Sequence, residues 1–339
     1  MDNEKLNKAA ESTGQPPENE QDIHEAAEAL RKEQQAEKDE LIQKNTLKLN
    51  RIKTAFAALG LFVGYFLFSQ CFYLVFSQDA MQNNGTVKLL ASFMGSFVYF
   101  FFLIRYYMKR SDKTGESLGD ILCLRPRELS PKEAALCGLL GISLNLSIGA
   151  LLALLPLPEA LINDYSAGAE SLLFTDSLAL SIIYVALMAP VCEELMFRGF
   201  MYHRLRTCYS VRISVTVVTI AFALPHVQIL WILVAVANSL VFTLVRERSG
   251  NLMHSIIMHC CYNLVSVPML VLLEFSPEVH AILFDNIIAE LIYLVLGGAA
   301  VFFCVKTLLI NRQEDNDDGE VTYQIGSHTD VPLDKEVTQ

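Results

Sequence analysis

Apolar side chains fall in this sequence in runs long enough to cross a lipid bilayer, and that feature leaves few folds open. A spanning helix needs about 20 mostly apolar residues, because only a helix satisfies its own peptide groups in lipid while rising about 1.5 Å per residue. Eight such runs are expected, at roughly 54–77, 87–107, 133–155, 177–203, 212–225, 228–246, 252–273 and 287–310. Of the 339 residues, 53% are hydrophobic, more than a soluble globular chain carries. The fold class is therefore all-α: a polytopic helical membrane protein of about eight transmembrane helices. Ser130-Pro131-Lys132-Glu133 adds a start signal for the third, a capping box with proline at the first helical position.

The net charge of −11 is carried by the ends. Residues 1–50 hold 12 acidic and 7 basic side chains and residues 313–339 hold 8 and 1, which leaves the middle near neutral. Three regions follow: a polar tail over 1–50, disordered to residue 23 and then a solvated helix; a transmembrane domain over 51–311; and an acidic disordered tail over 312–339. Acidic tails exclude a nucleic-acid partner. Positive charge alternates between connections. Lys109, Arg110, Lys113, Arg125, Arg127 and Lys132 follow the second run, Arg204, Arg206 and Arg212 the fourth, and Arg246 and Arg248 the sixth. The connections 78–86, 156–176 and 274–286 have no Lys or Arg. Basic loops stay on the cytoplasmic side, so both tails are expected to be cytoplasmic, in a multi-pass protein of the cell membrane. No cleavable signal peptide precedes the first run, which is expected to act as a signal-anchor. The eight cysteines include no C-x-x-C and read as small buried hydrophobes.

Three polar sets interrupt the apolar runs: Glu193, Glu194 and Arg198; then His226; then His259 and Asn263. A charge near the bilayer centre costs about 3 kcal/mol on insertion scales, so such residues mark function or mutual pairing. Glu194 and Arg198 stand at i, i+4 on one helix face and can pair, whereas Glu193 points about 100° away and can face a cavity. His259 and Asn263 also stack at i, i+4. Pro190 removes a backbone donor one turn before Glu193 and lets a neighbouring group reach freed carbonyls. Take Arg204–Arg206, Arg212 and Gly250 as one membrane edge. Glu193 then lies about 16–20 Å deep, His226 about 21 Å and His259 to Asn263 about 13–20 Å, a single layer.

Glu193-Glu194-Leu195-Met196-Phe197-Arg198, Phe222-Ala223-Leu224-Pro225-His226 and His259-Cys260-Cys261-Tyr262-Asn263, in that order, resemble the motif set of the CAAX prenyl protease and bacteriocin-processing (Abi) family, the type II CAAX prenyl endopeptidases. The resemblance spans roughly 130–310 and is strongest over 185–265. It implies an intramembrane glutamate endopeptidase with no cofactor. In that family's scheme Glu193 and His226 hold and activate a water, Glu194 and Arg198 fix the carboxylate geometry, and His259 and Asn263 stabilise the oxyanion. Its partners would be the bilayer and a peptide or membrane-protein substrate. The chemistry stands on its own terms: a carboxylate in a low-dielectric site is a stronger base than in water, and fixed donors in a dry site stabilise an oxyanion.

Each residue also has a structural reading. Glu194–Arg198 can be an ion pair without catalysis, His226 a capped helix end, and Asn263 a bond to a neighbouring helix. Phe197 and Phe222 read as packing residues, Asn145 and Asn238 as interhelical bonds, Glu290 as interfacial, and His203 and His254 as incidental, the latter near the membrane surface. Two other functions compete with proteolysis by Glu193. One is a zinc protease using Glu193, His226 and His259, although no H-E-x-x-H is present. The other is a non-catalytic bacteriocin-immunity or scaffold protein of the membrane.

Overall fold

The structure is a computed structural model and describes residues 20–76, 85–124, 128–173, 175 and 177–309. The acidic tail and most of the segment expected to be disordered at the N-terminus lie outside the described residues. The chain divides into two compact units, Met1–Phe56 and Ala57–Gln339. The described part of the first is helical and belongs to α1 (Glu20–Phe76), whose residues 31–50 are exposed on all sides. That is the solvated helix expected over 24–50, with Lys32 and Glu28 paired at i, i+4.

The second unit continues α1 and adds α2 (Gly85–Thr114), the short α3 (Leu118–Leu122), α4 (Pro131–Leu154), α5 (Glu159–Leu173) and α6 (Leu178–Arg206). There follow α7 (Val211–Ala223), α8 (Ile229–Ser249), α9 (Leu252–Phe275), α10 (Pro277–Phe284) and α11 (Ile287–Leu309). Every regular element among the described residues is a helix. Seven are long and apolar enough to cross a membrane: α1, α2, α4, α6, α8, α9 and α11. The chain is thus a multi-pass all-α membrane protein.

The fifth apolar run differs from expectation. The segment Val211–His226 is too short to count with the others. At about 1.5 Å per residue it reaches about 24 Å, less than the roughly 30 Å of a bilayer core. Pro225 and His226 end it in a 3₁₀ turn, Leu224–His226. Val227 then takes φ 61° and ψ −53°, and Gln228 N–H donates to the His226 carbonyl at 2.6 Å. This is a γ-turn with a β-branched residue at positive φ, a strained conformation. Two connections expected as loops are helical instead: α5 and α10 open just after Pro158 and at Pro277, where a fixed φ favours a helix start.

The Ser130 capping box forms as expected: Glu133 N–H donates to Ser130 Oγ at 3.2 Å, and Ser130 N–H donates to Glu133 Oε2 at 3.1 Å. Small residues bring α4 close to its neighbours. Gly141 lies against the Met258 carbonyl of α9, and Gly297 of α11 against Ser147. In lipid, where apolar burial drives little association, such close backbone contact is what packs helices. Asn145 Nδ2 donates to Tyr262 O (3.0 Å) and Ser266 Oγ (2.8 Å) of α9, and Asn238 is buried beside Tyr262. All eight cysteines are free; Cys137, Cys192 and Cys304 are buried, whereas Cys71 is exposed. His254 is fully buried within the protein, and Glu290 is buried in the first turns of α11.

Gly141→Val would drive its side chain into the Met258 carbonyl, whereas Gly149, one face away on α4, has nothing within 4 Å of a Cβ. Overpacking of this kind costs about 1–3 kcal/mol. Thermal melting in detergent should fall for Gly141→Val and stay near wild type for Gly149→Val.

Candidate active site

The site is built around breaks in α6. Two stretches of this helix, Tyr184–Met188 and Leu195–Met201, are π-helical, and an α-helical turn, Ala189–Glu194, carries the two glutamates between them. Extra-wide turns of this type recur at functional sites. Their cause is local. Ala189 N–H donates to Tyr184 O, five residues back, so it is lost to Val185 O. The next candidate donor is Pro190, which has no N–H. The Val185 carbonyl is thereby released, and Asn263 Nδ2 of α9 donates to it at 2.9 Å.

The two carboxylates diverge as adjacent helical residues must. Glu194 is fully buried, and its Oε1 accepts from Arg198 Nη1 and from His259 Nδ1, both at 2.8 Å. Arg198 is equally buried. Its Nη2 donates to Ser239 Oγ at 2.7 Å and its Nε to Thr243 Oγ1 at 3.2 Å, both on α8. Its guanidinium lies 4.3 Å from the centroid of the Phe222 ring, a cation–π contact. Glu193 instead keeps 27% of its side chain exposed, and its Oε2 is 3.8 Å from His259 Nε2. Tyr65 of α1 and Tyr184 of α6 stand within electrostatic range of it.

The histidines are oriented by their Nδ1 atoms. For His259 the partner is the Glu194 carboxylate, an acceptor only, so Nδ1 carries the proton and Nε2 is turned toward Glu193. For His226 the partner is the Phe222 carbonyl, one turn back, at 3.1 Å. By the same logic its Nδ1 is protonated and its Nε2 bears the lone pair. The Phe222 ring joins the parts: its centroid is 5.7 Å from His259, 5.4 Å from His226 and 5.3 Å from Phe197. Trp231 closes on His226 from α8 at 6.0 Å and donates through Nε1 to Tyr165 O of α5.

Glu193, Glu194, Arg198 and His259 are thus in direct register, His226 is linked to them through Phe222, and Asn263 is engaged by the α6 backbone. Sequence reading missed Ser239 and Thr243, which accept from Arg198. Their one signal is two hydroxyls at i, i+4 in an otherwise apolar run. Trp231, the sole tryptophan, was also missed. Among the described residues no group of three or more His, Cys, Asp or Glu side chains is arranged to hold a metal ion.

Arg198→Leu should destabilise the fold by about 3–5 kcal/mol, because it leaves the Glu194 charge buried without its cation. Arg198→Lys should recover only part of this, since an ammonium lacks the planar fork that reaches Glu194, Ser239 and Thr243 together. Unfolding in detergent measures both.

Comparison with known proteins follows the same residues. The family model described as type II CAAX prenyl endopeptidase, Rce1-like, matches residues 175–265, from the start of α6 to the middle of α9. Searches of curated proteins and of solved structures return no match. The matched segment contains all six polar residues singled out above. At family level, then, residues 175–265 are similar to the Rce1-like type II CAAX prenyl endopeptidases, and the motif resemblance and the family match agree.

Proposed function

We propose that the protein is an intramembrane endopeptidase in which Glu193 activates a water for attack on a peptide bond. The observation that carries this reading is the placement of Glu193 Oε2 3.8 Å from His259 Nε2 while Glu193 stays reachable. That separation is too long for a direct hydrogen bond, yet a water oxygen about 2.8 Å from both atoms fits beside them. His226, with its Nε2 lone pair, lies within electrostatic range of both Glu193 and His259 and is the second group to hold that water.

In the proposed step Glu193 takes a proton from the water as its oxygen bonds to the substrate carbonyl carbon. The carbonyl oxygen becomes an oxyanion. His259 receives it through an Nε2 proton, with Glu194 stabilising the imidazolium from the Nδ1 side. Asn263 keeps one amide proton for it, because Nδ2 has two and Val185 takes one. The proton on Glu193 then passes to the leaving nitrogen as the C–N bond breaks. Two carboxylates and two cations make the cluster neutral, which lowers the cost of keeping it within helices. The substrate is a peptide or a membrane-protein segment. A prenylated C-terminal CAAX sequence is the substrate that the family description names.

The competing reading is a scaffold or immunity protein that needs the fold without the chemistry. Glu193→Ala separates the two. It leaves the buried Arg198–Glu194–His259 chain in place, so melting should stay near wild type, while cleavage by the purified protein should fall by at least about 10²-fold. Comparing membrane peptides from cells carrying wild type and Glu193→Ala identifies the substrate. A phenotype that survives this substitution unchanged favours the scaffold. Cleavage that persists in a chelator separates this mechanism from a zinc-dependent one.

A further inference from the structure

Away from the hydrolytic centre, a cavity of about 320 Å³ opens where α1, α2 and the end of α6 meet. Its lining includes the small residues Ala57 and Gly60 of α1 beside Leu103 and Tyr107 of α2. A Cβ on Gly60 would meet nothing within 4 Å, so the glycine itself leaves the space. Its rim is polar and carries Arg110, Arg204, His203 and Glu116. Two guanidiniums thus face one carboxylate. Arg204 is half-buried, and its guanidinium makes no hydrogen bond or ion pair with the described residues. Half-burial of the Arg204 guanidinium without a counter-ion is an unfavourable state.

A site with small and apolar residues in its lining and arginines on its rim, at the end of a membrane-spanning helix, matches an amphiphile with an anionic head. We propose that this cavity binds the phosphate-bearing headgroup of an anionic phospholipid, with Arg204 and Arg110 at the phosphate and the glycerol and upper acyl chain along the Ala57–Gly60 face of α1. A fixed pair of arginines suits phosphate oxygens, which accept from planar forks. A basic pocket between helices is the form in which membrane proteins select such lipids. The site is separate from Glu193, ten residues along α6 from His203, and does not depend on the proteolytic reading.

Native mass spectrometry of the purified full chain tests it, with phosphatidylglycerol and phosphatidylcholine offered at equal concentration. Phosphatidylglycerol should be retained preferentially, and Arg204→Gln should cut that preference about fivefold. Gly60→Leu should fill the cavity and release the lipid with every charge intact, and it favours the helix, so its fold is not at risk. Arg212→Gln, an exposed arginine outside the cavity, should change nothing. Equal retention of the two lipids overturns the proposal. So does a preference that survives both Arg204→Gln and Gly60→Leu, or one that Arg212→Gln weakens as much. Millimolar inorganic phosphate should not displace the lipid; if it does, the site takes the free anion and the lipid assignment fails.

Discussion

The buried guanidinium of Arg198 is the constraint around which the rest is arranged. A fully enclosed arginine must find a counter-charge and acceptors for its donors, or its helix does not pack. Here the counter-charge is Glu194, one turn back on the same helix, and the acceptors are two hydroxyls of α8. Glu194 then has an oxygen that also accepts from His259 of α9. One ionic chain therefore ties three helices together and aims an imidazole nitrogen at the neighbouring, more exposed carboxylate. The geometry of Glu193 is a consequence of what its buried neighbour requires.

Departures from regular helix make that arrangement reachable. Pro190 and the π-helical turns free the Val185 carbonyl and let Asn263 grip α6 from α9. The γ-turn at Val227, itself exposed, ends α7 and leaves His226 beside Phe222 and Trp231. Non-helical backbone at membrane depth is tolerated where protein covers it or a polar cavity is lined by it. Strain of about 1–3 kcal/mol at such a residue persists only if the surroundings hold it in place. The Trp231 indole, bonded to α5, is part of those surroundings.

Much of this was legible in the sequence, for physical reasons. Hydropathy finds spans because lipid demands helices of one length, and the i, i+4 spacing of Glu194 and Arg198 foretells a pair that local geometry alone can make. The divergence of Glu193 from Glu194 follows from the helical turn. What sequence could not supply was tertiary. Nothing in the run around Ser239 and Thr243 says that they face an arginine 41 and 45 residues earlier. His259 and Asn263 share a helix face, yet one reaches a side chain and the other a backbone carbonyl. The bounds of α7 were legible at 212–225; what hydropathy does not register is that a helix ended there by Pro225 and Val227 falls short of the bilayer. The enclosure of His254 within the protein is likewise tertiary.

The buried ionic chain is open to a direct thermodynamic test. A double-mutant cycle on Glu194→Gln and His259→Gln, read as unfolding free energy in detergent, isolates the coupling between these two side chains. A coupling of at least about 1 kcal/mol is the expected result for a charge-assisted hydrogen bond that organises the centre. Additive effects, with no coupling beyond error, would contradict the linkage from which the orientation of His259 toward Glu193 is derived.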